Sequence, residues 1–263
     1  MKTYPIYEIN AFSEKAFGGN PAAVMPLEEW LPDEILHKLA EQNNLSETAF
    51  FVPTSDGFHI RWFTPKVEVD LCGHATLATA YYLFNIKGIE KEEIHFESRS
   101  GLLTVFKQKD KINLDFPAAE ISPCEPIFEM ESGLKKSPIA WFKGKTDYLL
   151  VFDSEETILS LNPDFEKLKS LEARGIIVTA ESSKFNVDFV SRFFAPRVGI
   201  NEDPVTGSAH TNLIPYWATE LGKSKLEALQ VSARGGQLSC ELKGNRVLIG
   251  GFANLYLKGE VCF

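Results

Sequence analysis

The sequence predicts an α+β fold of two pseudo-symmetric half-domains, each a mostly antiparallel sheet around one central helix. One observation behind this is an internal repeat of three segments, which occur in the same order in both halves of the chain. The other is the pattern of elements: most segments are short and rich in β-branched and aromatic residues, and each half contains one long helical segment that is largely apolar. With 263 residues, 44% of them hydrophobic, the chain can bury a core without disulfides or metal.

The repeat starts at an arginine followed by two aromatic residues and continues through the start of the long helix. Three matching segments with a slowly growing offset are hard to obtain by chance, although two convergent strand–turn–helix units stay an alternative. Two copies are too few for a solenoid, so a pair of related half-domains fits better. The matches are Arg61–Val67 with Arg192–Val198 (192 − 61 = 131), Gly73–Ala75 with Gly207–Ala209 (207 − 73 = 134) and Arg99–Leu103 with Arg234–Leu238 (234 − 99 = 135).

In the first half, residues 1–117, the pattern predicts two helices and a series of strands. Pro32–Asn43 has an apolar stripe at helical spacing with Asp33 in its first turn. Gly73–Phe84 is apolar nearly all round, so this second helix is expected to be buried. The predicted strands are Tyr4–Asn10, Ala22–Met25, Thr48–Val52, Phe58–Phe63, Ile94–Glu97, Leu102–Lys107 and Lys111–Phe116.

The second half, residues 118–263, repeats this scheme after a linker around Pro117–Pro126, and its last strand is free to pack back onto the first half. A helix is predicted over Thr206–Leu221, with a kink at Pro215. The predicted strands are Tyr148–Phe152, Ile176–Thr179, Asp188–Ala195, Gln230–Ala233, Gln237–Lys243 and Arg246–Ala253.

The net charge of the chain argues against two classes of partner. A formal charge of −9 argues against a nucleic-acid or membrane partner, because both require a basic face.

The N-terminus has no signal-peptide pattern and no run of eighteen apolar residues occurs, so we expect a cytoplasmic protein. The four cysteines show no CxxC spacing, which predicts free thiols and no metal site.

The two equivalent helix starts are candidate anion sites. The first N–H groups of a helix lack partners and its dipole is positive there, so a carboxylate binds well. Gly73-His74 and Gly207-Ser208 would let a ligand approach the backbone closely, and two facing halves would bring both starts to one cleft. The alternative is that the glycines only permit tight turns.

Four side chains could carry chemistry, and each also has a structural interpretation. Glu47 precedes an apolar strand, where desolvation raises the pKa of a carboxyl toward the range of a general acid/base, but it could be an exposed loop residue. His74 could be an acid/base, a hydrogen-bond donor or a capping residue. Asp203-Pro204 has the sequence of an ordinary N-cap and first helical residue. Cys72 and His74 are two residues apart at a helix start, a spacing that predicts no mutual contact.

These residues lie in motifs that resemble those of PhzF-like (phenazine biosynthesis-like) proteins. The resemblance spans nearly the whole chain in the right order, and it implies the diaminopimelate-epimerase-like fold, in which each half is a barrel-like sheet around one helix. The motifs are FGGNPAAV (Phe17–Val24), LSETAF (Leu45–Phe50), CGHAT (Cys72–Thr76), DPVTGSA (Asp203–Ala209) and GGFA (Gly250–Ala253) with Gly259-Glu260.

The resemblance also implies an activity and a set of site residues. The family's acid/base carboxylate would be Glu47, supported by His74 and Asp203. The expected activity is a cofactor-independent isomerisation of a small carboxylate-bearing substrate in the inter-domain cleft, by a protein that forms a homodimer. The residues expected to bind substrate are Asn20, Gly73, Gly207 and Ser208.

Two other functions stay open. Racemases and epimerases of this fold use two cysteines, but the repeat partner of Cys72 is Thr206 or Asp203, depending on the alignment, and neither is a thiol. A mixed pair such as Cys72 with Asp203 or Glu47 keeps an epimerase possible, although Cys72 is more simply a buried bystander. A non-catalytic binding protein is the third alternative. The substrate itself cannot be identified from the sequence.

Overall fold

A computed structural model describes residues 2–263 and divides the chain into two compact units. Unit 1 contains the residues up to Phe116 together with Ile249–Phe263, and unit 2 is Pro117–Leu248. The second half predicted from the sequence, 118–263, therefore ends at Leu248 in the structure. Among residues 2–263 no helix has the length and apolarity that a bilayer span requires.

Unit 1 is a mixed sheet in which each parallel strand pair is joined by a helix. The elements are β1 Thr3–Ala11, β2 Asn20–Pro26, α1 Asp33–Asn43, β3 Glu47–Pro53, β4 Phe58–Phe63, β5 Glu68–Val69, α2 Gly73–Tyr81 with a π-helical turn Tyr82–Ile86, β6 Glu93–Ser98, β7 Gly101–Gln108 and β8 Lys111–Pro117. β2 and β3 are parallel and connected through α1, and β4 and β6 are parallel and connected through α2. The neighbouring pairs β1–β2, β3–β4, β6–β7 and β7–β8 are antiparallel.

Unit 2 has the same connectivity, so the repeat seen in the sequence is also present in the strand pairing. The elements are β9 Ser122–Pro123, α3 Phe128–Leu134, β10 Ala140–Lys143, β11 Asp147–Val151, α4 Glu155–Ser160, α5 Phe165–Lys169, β12 Gly175–Glu181, β13 Phe189–Ala195, a 3₁₀ turn Pro196–Val198, β14 Ile200–Asp203, α6 Gly207–Glu220, β15 Lys225–Gln230, β16 Gly236–Lys243 and β17 Arg246–Gly251, whose last three residues belong to unit 1. β11 and β12 are parallel with α4 and α5 between them, and β13 and β15 are parallel with α6 between them. β10–β11, β12–β13 and β15–β16 are antiparallel.

The last strand, β18 (Ala253–Cys262), completes unit 1 by pairing antiparallel with β1 along its whole length. Thr3 lies opposite Cys262 and Ala11 lies opposite Ala253, with a bulge at Glu8/Ile9. This long ladder is why the C-terminal residues belong to the first unit.

Both predicted central helices exist and are buried. Every residue of α2 from Gly73 to Ala80 is buried, and α2 contacts β1, β2, β3 and β18. α6 buries eight of its fourteen residues, contacts β11, β15 and β16, and continues through Pro215. A central helix that is apolar on nearly all sides can only be stable if strands surround it.

The same arginine–glutamate pair recurs in both units and confirms the repeat in atomic detail. In unit 1, Arg61 Nε and Nη2 donate to the two carboxylate oxygens of Glu68 at 2.7 and 2.8 Å. In unit 2, Arg192 Nε and Nη2 donate to Glu202 at 2.7 and 2.9 Å. Two parallel N–H···O bonds are the preferred geometry of this ion pair, and here each joins the longer strand to the short one that follows it.

One predicted strand was wrong. The strand placed at Gln230–Ala233 lies earlier, at Lys225–Gln230, and Ser232 instead makes a turn in which its Oγ donates to the carbonyl of Pro204 at 2.7 Å. The linker predicted around Pro117–Pro126 contains the two-residue strand β9.

Candidate active site

Glu47 and His74 come together in unit 1. Glu47 is the first residue of β3 and His74 the second residue of α2, and Glu47 Oε2 lies 3.2 Å from His74 Nε2. The two side chains are 13% and 6% exposed. A carboxylate and an imidazole in contact, with little water around them, form a pair that can hold or transfer a proton.

The other ring nitrogen of His74 is also engaged. Asn20 Nδ2 donates to His74 Nδ1 at 3.2 Å, and the Cys72 Sγ lies 3.5 Å from the same nitrogen. Burial lowers the pKa of His74 to about 3, because the charged ring cannot be solvated there. His74 is therefore neutral at physiological pH, which favours the role of hydrogen-bond donor over that of a cationic acid.

Local backbone geometry explains how Asn20 reaches this site. Gly19 has φ +71°, and a Cβ at this position would lie 2.2 Å from the carbonyl oxygen of Ala11. Only glycine fits so close to β1, and the tight turn sets Asn20 at the start of β2 with its side chain fully buried.

The contact between Cys72 and His74 corrects the expectation from their spacing. The spacing rule applies to residues that are both helical, but Cys72 is the N-cap of α2, with extended φ −143° and ψ 110°. Its side chain therefore turns back toward the first helical turn and reaches the imidazole.

Glu47, Cys72 and His74 are the kinds of residue that bind metals, and one ligand atom of each lies within 4.8 Å of the others. However, Glu47 contacts Nε2 and Cys72 contacts Nδ1, on different sides of the ring. An ion bound to one ring nitrogen would have one of the other two ligands on the far side of the imidazole. The cluster is better suited to proton handling than to metal binding.

In unit 2, Asp203 is held by Thr206 and Gln230. The Thr206 hydroxyl donates to Asp203 Oδ2. Gln230 Nε2 donates to the Asp203 carbonyl at 2.8 Å and to Thr206 Oγ1 at 3.2 Å, and its Oε1 accepts from the Thr206 N–H at 2.9 Å. All three residues are buried. The amide orientation of Gln230 is fixed, because an N–H can only donate and a carbonyl can only accept.

The N-cap interpretation of Asp203 is wrong. α6 begins at Gly207 and its N-cap is Thr206, which has an extended backbone. Asp203 is the last residue of β14, so its carboxylate serves the turn between strand and helix rather than the helix end.

Ser208, in the first turn of α6, is tied to a buried ion pair. Arg174 makes a bidentate contact with the carboxylate of Asp147, a residue whose side chain is 2% exposed. The Arg174 Nη2 also donates to Ser208 Oγ at 3.1 Å. The Arg174 side chain is 39% exposed, so a cationic group lies beside the start of α6.

Sequence reasoning missed the residues that support this site. Gln230 was placed at the start of a strand rather than at the end of one, and neither Thr206 nor Arg174 lies in a charged or polar pattern of its own. The one available signal was Asp147, an acidic residue directly before an apolar strand, which is the setting of a buried ion pair.

A family model described as phenazine biosynthesis-like protein matches residues 9–259. The chain belongs to the PhzC/PhzF family. One relative of this PhzF-family chain, an uncharacterised isomerase of Pseudomonas aeruginosa, is 52% identical over 259 residues, which cover 97% of this chain and 98% of that protein.

Solved structures agree on the fold. A PhzF-family protein of Enterococcus faecalis is 49% identical, with a TM-score of 0.96 over the full length of both chains. A hydroxyproline epimerase of Agrobacterium vitis, only 13% identical, has a TM-score of 0.63 and covers 98% of this chain and 92% of its own. The PhzF-family chain therefore has the diaminopimelate-epimerase-like α+β fold predicted from the sequence.

The structure thus groups the predicted site residues in two sets. Glu47, His74, Asn20 and Cys72 meet around one imidazole at the start of α2, where Gly73 is the first helical residue. Asp203 lies in the turn before α6, whose first residues are Gly207 and Ser208. That both sets meet at one cleft stays a prediction of the sequence analysis.

Proposed function

We propose that this protein is a cofactor-independent isomerase that moves a proton on a small carboxylate-bearing substrate, with Glu47 as the acid/base. The observation that carries the proposal is the contact between Glu47 Oε2 and Nε2 of a buried, neutral His74. The names of relatives support it, since the protein of Pseudomonas aeruginosa is called an isomerase.

The chemistry requires one carboxylate. Glu47 takes a proton from a substrate carbon, and the electron pair of the broken C–H bond is delocalised over an adjacent conjugated system. The same carboxyl then returns the proton to a different carbon, so no oxidant or external acid is consumed.

Each of the other groups has a supporting role in this proposal. The Nε2 of His74 lies 3.2 Å from the Glu47 carboxylate without the alignment of a hydrogen bond, and a hydrogen on this nitrogen stabilises the charged form of Glu47 electrostatically. The N-terminal N–H groups of α2, beside Gly73, supply a positive potential for the anionic intermediate. Asp203, Gly207 and Ser208 are proposed to contact the substrate from unit 2.

A racemase or epimerase that uses Cys72 is the second candidate. The observation that favours it is the distance of 3.5 Å between the Cys72 Sγ and His74 Nδ1, which offers the thiol a base. A two-thiol mechanism needs a second cysteine at the start of α6, and Thr206 occupies that place.

The test is proton exchange in deuterated water with a panel of dihydroaromatic acids and amino acids, followed by mass spectrometry. Wild type is expected to incorporate deuterium or isomerise a substrate, and Glu47→Gln to lower the rate about 10³-fold, because the amide cannot accept the proton. Glu97→Gln, at an exposed position on β6 in the same unit, is the matched control and should keep full activity.

Equal activity of wild type and Glu47→Gln would rule out Glu47 as the proton carrier. If wild type shows no exchange with any member of the panel, the isomerase proposal loses its support, and a bound ligand would be sought by mass spectrometry of the purified protein.

A further inference from the structure

We infer that Asn20 is a positioning residue that fixes the tautomer of His74, so that the hydrogen of the neutral imidazole is on Nε2, the nitrogen that lies 3.2 Å from Glu47 Oε2. The inference deepens the function proposed above and rests on it for its role in catalysis. Asn20, which the family resemblance marks as a substrate-binding residue, has a fully buried side chain that lies against the imidazole.

The direction of one hydrogen bond determines the tautomer. The Asn20 Nδ2 group carries two hydrogens and no lone pair, so it can only donate. Its partner at 3.2 Å, His74 Nδ1, must therefore be the acceptor and carries no hydrogen. In a neutral imidazole the hydrogen is then on Nε2, which is the nitrogen that faces Glu47.

The neutral state of the ring follows from its surroundings. The His74 side chain is 6% exposed, and burial lowers its pKa far below neutrality. A neutral ring has one hydrogen, which is on either Nδ1 or Nε2. The partner of Nδ1 therefore determines whether Nε2, the nitrogen near Glu47, carries a hydrogen.

The choice has chemical consequences on both sides of the ring. With hydrogen on Nε2, the positive end of the N–H bond is close to the carboxylate and stabilises its charge, although the contact is not aligned as a hydrogen bond. With hydrogen on Nδ1, the Nε2 lone pair would face the carboxylate oxygen at 3.2 Å and repel it. Because the Nδ1 lone pair accepts the hydrogen bond from Asn20, it is less able to take the proton of Cys72, whose sulfur lies 3.5 Å away.

A second buried histidine provides an internal contrast. His210 Nδ1 lies 2.8 Å from the carbonyl oxygen of Thr206, which can only accept, so the His210 hydrogen is on Nδ1. Burial also lowers the pKa of His210, to about 4. The chain therefore holds two neutral, buried histidines in opposite tautomers, each set by its neighbour.

The test reads the tautomer directly and needs no substrate. The protein is labelled with ¹⁵N-histidine, and long-range ¹H–¹⁵N correlation spectra are recorded at neutral pH. The chain has five histidines, so His74 and His210 are assigned from the spectra of His74→Gln and His210→Gln. In wild type we expect a protonated Nε2 for His74 and a protonated Nδ1 for His210.

The substitution Asn20→Ala removes the donor. Its expected effect is that the two His74 nitrogen signals move toward each other, as both tautomers become populated, while the His210 signals stay in place. Asn85→Ala, at an exposed asparagine in the π-helical turn of unit 1, is the matched control and should leave both histidines unchanged.

Two results would overturn the inference: a protonated Nδ1 on His74 in wild type, or an unchanged His74 spectrum in folded Asn20→Ala. If Asn20→Ala fails to fold, the wild-type spectrum still decides between the two tautomers. Failure of the isomerase proposal would instead be visible as absent exchange in wild type, so the two failures are distinguishable. With a substrate in hand, Asn20→Ala should lower kcat more than it changes KM.

Discussion

Cys72 and Thr206 occupy the same position in the two units: each is the extended N-cap residue, directly before a glycine, of the buried central helix. Their side chains have different partners, because the thiol of Cys72 contacts His74, whereas the hydroxyl of Thr206 donates to Asp203. The repeat therefore conserves the backbone arrangement and changes the chemistry. A matched pair of thiols is absent from these two positions, and each unit has an acidic residue within reach of its helix start instead.

This difference predicts that Cys72 is dispensable. We expect Cys72→Ala to exchange deuterium within about threefold of wild type, because the Glu47 carboxylate and its histidine remain. Cys240→Ala, at a buried cysteine of β16 in unit 2, controls for loss of a buried side chain. A loss as large as that of Glu47→Gln would instead support the racemase or epimerase candidate.

Gln230 is expected to matter for stability because its amide makes three hydrogen bonds inside unit 2. Gln230→Met keeps the length of the side chain but leaves the Thr206 N–H and the Asp203 carbonyl without their partner. We expect a loss of about 2–4 kcal/mol in the free energy of unfolding, measured by urea denaturation. Gln237→Met, on an exposed position of β16, should change it by less than about 0.5 kcal/mol.

The paired arginine–glutamate contacts predict equal sensitivity in the two units. Glu68→Gln and Glu202→Gln should each lower the free energy of unfolding by about 2–4 kcal/mol, because each removes the carboxylate bound to Nε and Nη2 of a mostly buried guanidinium, whose Nη1 alone keeps its other partners. Glu34→Gln removes an exposed partner of Lys38 on α1 and should produce no measurable change. A small effect at one glutamate and a large effect at the other would contradict the equivalence of the two contacts.

The buried histidines predict a specific dependence of stability on pH. Burial lowers the pKa of His210 to about 4, whereas in the unfolded chain it returns to about 6.5. Below pH 6.5 the unfolded state therefore binds a proton that the folded state does not bind, and the free energy of unfolding falls as the pH is lowered toward 4. His74, with a pKa of about 3, acts in the same direction.

Each such histidine contributes a limiting slope of about 1.4 kcal/mol per pH unit between these values. The variant His210→Asn should therefore show a shallower loss of stability between pH 6 and pH 5 than wild type, whatever its stability at pH 8. Urea denaturation at a series of pH values measures this, and parallel curves for the two proteins would contradict the prediction.

The architecture could be predicted from the sequence because it depends on patterns that repeat along the chain. The nearly all-apolar helix at Gly73, its counterpart at Gly207 and the arginine–aromatic strands determine how each unit folds, and all of them can be recognised in the sequence. The family motifs likewise marked Glu47 and His74, which the structure brings into contact.

The partners of these residues could not be predicted, because they come from positions far apart in sequence. Gln230 reaches Thr206 across 24 residues, and Asn20 reaches His74 across 54, through strand register that no local pattern specifies. The error over Cys72 and His74 had a similar origin, since it assumed helical geometry at a residue that is the extended N-cap.

The pairing of β18 with β1 makes unit 1 discontinuous in sequence, whereas unit 2 is a single uninterrupted segment. During translation, the final strand of unit 1 is made only after the whole of unit 2 has been synthesised. Until then β1 is paired with β2 on one side but lacks β18 on the other. The exposed edge of β1 is then the part of the nascent chain most open to mispairing or to capture by a chaperone.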